Sequence, residues 1–193
     1  MSKIHVLRRW LSPVKTLPPD DFVRRLRSLV IGEGMLHDGN IYLMDYAIRH
    51  LPPTGHVLEI GSYGGLSTNL LRYLLTRHGQ ANRLLFNCDA WTYEGYHDHL
   101  GHPPGHIDGR PDVLRADYGA YLKQAFLNAT RFLSAAHLPH TVHAWSDDFF
   151  EKWAASAVVT DEFGRTATLG GPLALAYIDG GHSEEQAWRD VEN

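Results

Sequence analysis

The chain has one cysteine, Cys88, and therefore no internal disulfide. It contains no apolar run of about 18 to 20 residues, which excludes a membrane-spanning helix of ordinary length, and its first thirty residues lack the continuous apolar core of a secretory signal. A reducing cytoplasm is the expected compartment, with no membrane partner. No strong charge imbalance is present either: the formal net charge of −4 over 193 residues points to neither nucleic acid nor an anionic surface. Internal repeats are lacking, and at this length one core is expected rather than two.

The charge that is present is uneven. Lys3, Arg8, Arg9, Lys15, Arg24, Arg25 and Arg27 fall in the first thirty residues against only Asp20 and Asp21. With Ile4, Leu7, Trp10 and Leu11 interleaved, a solvated helix packing one apolar stripe explains this start better than a surface-binding arm.

Beyond Pro18-Pro19, apolar spacing predicts helices over 22–31 and 39–51, the second ended by Pro52-Pro53. Four short apolar runs read as strands, at 56–60, 83–88, 141–145 and 173–178. A helix at 66–78 follows the first, with Leu66, Leu70, Leu71, Leu74 and Leu75 on one face and Gly79 at its stop. Strand, helix, strand implies a parallel crossover. The fold class is thus α/β, a Rossmann-like three-layer sandwich with a mostly parallel sheet of four main strands. Residues 1–55 form an N-terminal helical segment and 56–193 the cofactor-binding domain, with inserts near 92–117 and 158–172. Residues 118–136 read as a helix and the second insert as a hairpin around Glu162-Phe163-Gly164.

The chemistry concentrates in "VLEIGSYGGLSTNLL". An apolar strand ends in Glu59 and Ile60, turns through Gly61, Gly64 and Gly65, and enters a helix near Ser67 and Thr68. Glycine lets the backbone turn sharply and lets a ligand come close. A dinucleotide turn would read G-x-G-x-x-G and seat a pyrophosphate on the helix N-terminus, but the pattern here is E-x-G-x-x-G-G. An acid beside the turn suits a cationic ligand better than a phosphate.

This stretch resembles motif I of the class I S-adenosylmethionine-dependent methyltransferases, in which an acid-x-Gly-x-x-x-Gly turn wraps the amino-acid end of the cofactor. Glu59, Gly61 and Gly65 match it, and Ser62 and Ser67 join them as candidate cofactor contacts. The resemblance makes Asp89, 28 residues after Gly61 at the tip of the second strand, the acid for the ribose hydroxyls, with Trp91 a neighbour of the adenine. It also puts Ser146 and Asp147 against the adenine ring. As residue types alone, Asp89 reads as a turn residue and Asp147 as a helix N-cap.

The last strand runs into "IDGGHS". Ser183 with Gln186 three positions on forms a capping box that fixes the Asp179 to His182 turn. The segment resembles small-molecule O-methyltransferases of the macrocin and, more distantly, catechol type, within methyltransferase family 24. The resemblance implies Asp179 and His182 as catalytic residues that activate an acceptor hydroxyl, with Asp179 also the ligand of a Mg²⁺ ion. Such relatives continue past this helix with further strands, so the expectation is a fragment, with the strand at 173–178 left as an apolar sheet edge that favours homo-oligomers.

A histidine-rich loop, "YHDHLGHPPGHID", sets His97, His99, His102 and His106 beside Asp98 and Asp108. It reads as a transition-metal site or as a polar lid. The functional expectation is methyl transfer to a small hydroxylated metabolite. A non-catalytic cofactor-binding module and a methyltransferase-fold enzyme with another acceptor are the alternatives.

Overall fold

The computed structural model describes residues 21–30, 36–92, 106–107, 110–181 and 183–193. Its elements are α1 (Asp21–Leu29), α2 (Asp38–Arg49), β1 (His56–Ile60), α3 (Leu66–Arg77), β2 (Leu85–Asp89), β3 (His106–Ile107), β4 (Arg110–Leu114) and α4 (Arg115–Leu133). They continue with β5 (His140–His143), α5 (Ser146–Ala154), β6 (Val158–Thr160), β7 (Thr166–Thr168), β8 (Leu173–Ile178) and α6 (Glu184–Glu192).

Four of these strands form one parallel sheet in the order β5-β2-β1-β8. Alternation along β1 divides the core. Val57 packs with Leu71, Leu74 and Leu75 of α3 and with Ile41, Met44 and Ile48 of α2, whereas Leu58 and Ile60 point the other way, onto Phe86, Cys88 and Phe149 of α5. Covering both faces explains why β1 and β2 are nearly continuous apolar runs. Successive crossovers leave β1 toward β2 and β5, then return to β8 on its other side. The switch point therefore falls between β1 and β8, where open α/β sheets hold their ligands beyond the carboxyl ends of the strands.

The structure moves several expected boundaries. Strand β2 begins at Leu85 because Arg83 turns aside to donate to the carbonyls of Gly55 and Pro52 at 2.5 and 2.7 Å. Strand β5 ends at His143 rather than Trp145, whose ring is half exposed at the N-cap of α5. Helix α4 starts three residues earlier than its apolar spacing suggested and gives way after Leu133 to a short 3-10 turn, Ala135–His137. The 158–172 insert is the expected antiparallel hairpin, β6 with β7.

Strand β8 is one edge of the described sheet, and Leu173 is 38% exposed there. No described helix is long and apolar enough to cross a membrane.

Candidate functional site

The carboxyl ends of β1, β2, β5 and β8 form one rim. Clefts at the opposite end, one lined by Gly55, Arg83 and Leu84 and one by Arg72, His140 and Arg165, carry no carboxylate. Glu59, Asp89 and Asp179 are at or next to the rim ends of β1, β2 and β8.

At the glycine turn, Gly61 has φ +85° and its N–H donates to the Cys88 carbonyl at 2.9 Å. Its neighbour across the switch point is the end of β8: the Asp179 N–H donates to the Ile60 carbonyl at 2.8 Å, and a Cβ on Gly61 would overlap the Asp179 carbonyl. Gly65, with φ +90°, is the N-cap of α3, and a Cβ there would lie 3.0 Å from the Phe126 ring. Both glycines are thus demanded by backbone conformation and by close approach.

Glu59 lies beneath this turn with no solvent exposure. Its Oε2 accepts from the Ser62 hydroxyl at 3.1 Å and from the Thr68 hydroxyl, while Oε1 is buried without a partner. Behind Ser62 runs a directional chain in which the Thr141 hydroxyl donates to Asn87 Oδ1 and the Asn87 amide donates to Ser62 Oγ, each at 2.7 Å. Burial pushes the Glu59 carboxyl up from 4.5 to about 7, against the hydroxyls of Ser67, Thr68 and Ser62 that pull it down and with the charge of Asp89 adding to the rise.

A pKa raised in the folded state means that the fold binds a proton the unfolded chain has lost. Stability from this group is complete below pH 4.5 and is lost as pH rises through about 7. The unfolding free energy of the wild type, read from denaturant melts, should therefore fall between pH 5 and 8, by about 3 kcal/mol from this group. Glu59→Gln should flatten that part of the profile; an unchanged slope in the variant would remove Glu59 as its source.

Asp89 closes the rim from β2. Its Oδ2 accepts the N–H groups of Ser62 and Tyr63 at 2.8 and 2.7 Å, and its Oδ1 accepts the Trp91 N–H at 2.6 Å. Tyr63 and Trp91 are both left-handed, φ +45° and +47°. One carboxylate therefore holds two strained residues, and it shapes the glycine turn as well as facing the rim. The Trp91 indole turns inward: it is 6% exposed, packs on Phe126 at 5.3 Å and donates from Nε1 to the Tyr63 carbonyl at 3.0 Å. The geometry makes it a brace between the two turns rather than an open platform.

Ser146 and Asp147 fall in the first turn of α5, so the expected strand-tip placement does not hold, and Asp147 is not the N-cap because Trp145 occupies that position. Both are engaged by α6. Gln186 Nε2 donates to Ser146 Oγ at 3.1 Å, and Asn193 Nδ2 donates to Asp147 Oδ1 at 3.2 Å.

At the tip of β8, Asp179 is exposed and its Oδ2 accepts from the Tyr177 hydroxyl at 3.0 Å. Burial, then the charge of Asp179, raises the Tyr177 pKa far above the usual phenol range, so Tyr177 remains a donor. Only half of the capping box forms. Ser183 Oγ accepts from the Gln186 N–H at 3.2 Å, but the Gln186 side chain reaches Ser146 and Asp190 instead of turning back. His182 lies outside the described residues, as do His97, His99, His102, Asp98 and Asp108; of His106 only the backbone, in β3, is described.

The family described as methyltransferase domain matches residues 58–193, from β1 through α6. The chain belongs to that family. No curated protein matches the chain.

For a methyltransferase domain the implied donor is S-adenosylmethionine, and the residues at the rim fit it. The unpartnered Oε1 of Glu59 is an acceptor beneath the glycine turn that suits an ammonium. Ser62 and Ser67, expected as direct contacts, are buried against Glu59 and set its orientation. A metal fits less well. Among the described residues no group of three or more His, Cys, Asp or Glu could hold one, and Asp179 is a single donor. Reading the sequence missed Thr68, Asn87, Thr141 and Tyr177. Tyr177 was legible in principle, because it interrupts the otherwise apolar strand "LALAYI"; Asn87 likewise interrupts "LLFNC".

Proposed function

We propose that this methyltransferase moves a methyl group from S-adenosylmethionine to a hydroxyl of a small metabolite. Residues 56–193 hold the cofactor, and Asp179 is the group on the acceptor side. The observation that carries this reading is the direct contact between the glycine turn and the tip of β8, which sets an exposed carboxylate one residue from the backbone that wraps the cofactor.

When bound, the cofactor supplies an electrophilic methyl on a sulfonium. Transfer is an in-line displacement: the sulfur–methyl bond breaks, an oxygen–methyl bond forms, and S-adenosylhomocysteine leaves. What the chain adds is alignment and a place for the proton. The Asp179 carboxylate accepts the hydroxyl proton as the new bond forms, and the Tyr177 hydroxyl, donating to Oδ2, fixes its orientation. Glu59 and Asp89 hold the opposite side of the rim.

The test is transfer from methyl-labelled cofactor to a panel of hydroxylated small molecules. Asp179→Asn should lower turnover roughly 100-fold or more while cofactor affinity shifts by less than about threefold. Transfer to amines alone, or undiminished turnover in Asp179→Asn, would contradict the proposal.

A further inference from the structure

A cleft of about 480 Å³ lies at the end of the sheet away from the rim, between the loops that lead into β2 and β5. Its walls carry Arg72, Arg83, Arg165, Asn82, His137 and His140 and, among the described residues, no carboxylate. The two strands are paired neighbours, with Phe86 of β2 beside His140 of β5, so the sheet fixes one wall against the other.

Arg72, on α3, belongs to the first wall and is only 5% exposed. Its Nη1 donates to the Arg83 carbonyl and its Nη2 to the carbonyls of Ala81 and Arg83, each at 3.1 Å, while Nε is buried without a partner. Carbonyls hold the guanidinium in place but do not neutralise it. Burial lowers its pKa from 12.5 only to about 10, so the group stays charged at pH 7, and no carboxylate acts on it. Arg27 also has an unpartnered Nε, but its guanidinium pairs with Asp38 at 2.9 Å. Arg83 resembles Arg72 instead: its donors go to Gln80 Oε1 and to the carbonyls of Gly55, Pro52 and Pro53, all of them neutral. The resulting field reaches His56, whose pKa is pushed down by burial and then by the charge of Arg83.

On the second wall the charge is already balanced. Arg165 donates from Nε and Nη2 to Asp161 Oδ2 at 2.9 and 2.6 Å, and His140 Nδ1 is 3.0 Å from the same oxygen. The unbalanced positive charge is thus on the Arg72 and Arg83 side.

A guanidinium kept out of water without a counter-ion is costly, and guanidinium groups are the side chains best suited to oxyanions. The cleft is also within the size range of small-molecule sites. We propose that it binds a small phosphorylated molecule, with Arg72 and Arg83 supplying the charge that attracts the phosphoryl group and Asn82, exposed on the same wall, adding an amide donor. A five-residue strand, about 16 Å, separates this cleft from the glycine turn, so it is a second site and does not depend on the cofactor reading above.

Calorimetric titration with inorganic phosphate, against chloride at matched ionic strength, tests it. The wild type should show saturable one-to-one binding with a dissociation constant at or below about 1 mM, shifted less than about twofold by saturating S-adenosylhomocysteine. Arg72→Gln, which removes the charge, should weaken phosphate binding about tenfold. Asn82→Asp sets a carboxylate on the exposed wall without touching the core, and it should weaken binding tenfold or more while the melt in chloride stays as in the wild type. No saturation by phosphate beyond that of chloride, or wild-type phosphate affinity in Asn82→Asp, would overturn the proposal. So would displacement of phosphate by S-adenosylhomocysteine, which would put the anion at the rim.

Discussion

Gly61→Ala should abolish cofactor binding and destabilise the fold by roughly 3–5 kcal/mol, read from denaturant melts. The first contribution is conformational, since φ +85° costs an L residue about 1–2 kcal/mol. The second is steric. The added methyl would overlap the Asp179 carbonyl, and that carbonyl is not free to move, because the adjacent Asp179 N–H is bonded to Ile60 and β1 and β8 are paired from His56 to Ile60. Overpacking of this kind costs typically 1–3 kcal/mol when neighbours yield and more when they are backbone. Gly79→Ala is the control, since it also has positive φ but no atom within 4 Å of its Cβ position, and it should cost only the conformational part. Equal losses in the two variants would show that the β1 and β8 turns do not touch as described.

The second large effect is expected at Asp89. Removing the carboxylate in Asp89→Ala strands three backbone N–H groups, those of Ser62, Tyr63 and Trp91, and releases the two left-handed residues. At about 1.5–3 kcal/mol for each hydrogen bond to a charged acceptor, partly recovered by water, the loss should be roughly 4–6 kcal/mol. Cofactor affinity should fall with it. Asp89→Asn keeps one acceptor oxygen and should retain about half of that stability. Were Asp89 only a ligand contact, Asp89→Ala would lose affinity with no change in the melt.

These two residues also show how far the sequence could be read. The four strands, the glycine turn and the helix after it were legible because period and turn chemistry agree there: Val57 and Leu58 serve opposite faces, and the positive φ of Gly61 favours glycine. Asp89 could be placed at a strand tip, but its bonds to Ser62 and Tyr63 span 27 and 26 residues, and no local pattern announces them. The family resemblance makes Trp91 a neighbour of the adenine. Its left-handed backbone, which no local pattern announces, packs the indole onto α4, where Gly119 gives way to the Trp91 carbonyl.

The other differences have similar causes. Ser146 and Asp147 were set at a strand tip because "HTVHAW" continues apolar beyond His143; the chain leaves the sheet earlier, and α6 then occupies both side chains. Asp190 lies on a polar helix, and only the tertiary approach of α6 to the Gly180 turn buries it. Gln186 was read as one half of a capping box, but competition from Ser146 and Asp190 takes its side chain. Local signals locate residues at the rim, and their partners are decided by packing across it.

On the proposed reading, the rim from Glu59 through Asp89 to Asp179 holds S-adenosylmethionine. Titration of the chain with S-adenosylmethionine, S-adenosylhomocysteine and NAD tests it most directly. Saturable one-to-one binding of the first two, lost in Gly61→Ala, and no binding of NAD are the expected results. Binding of NAD without S-adenosylhomocysteine, or binding that survives in a folded Gly61→Ala variant, would contradict it.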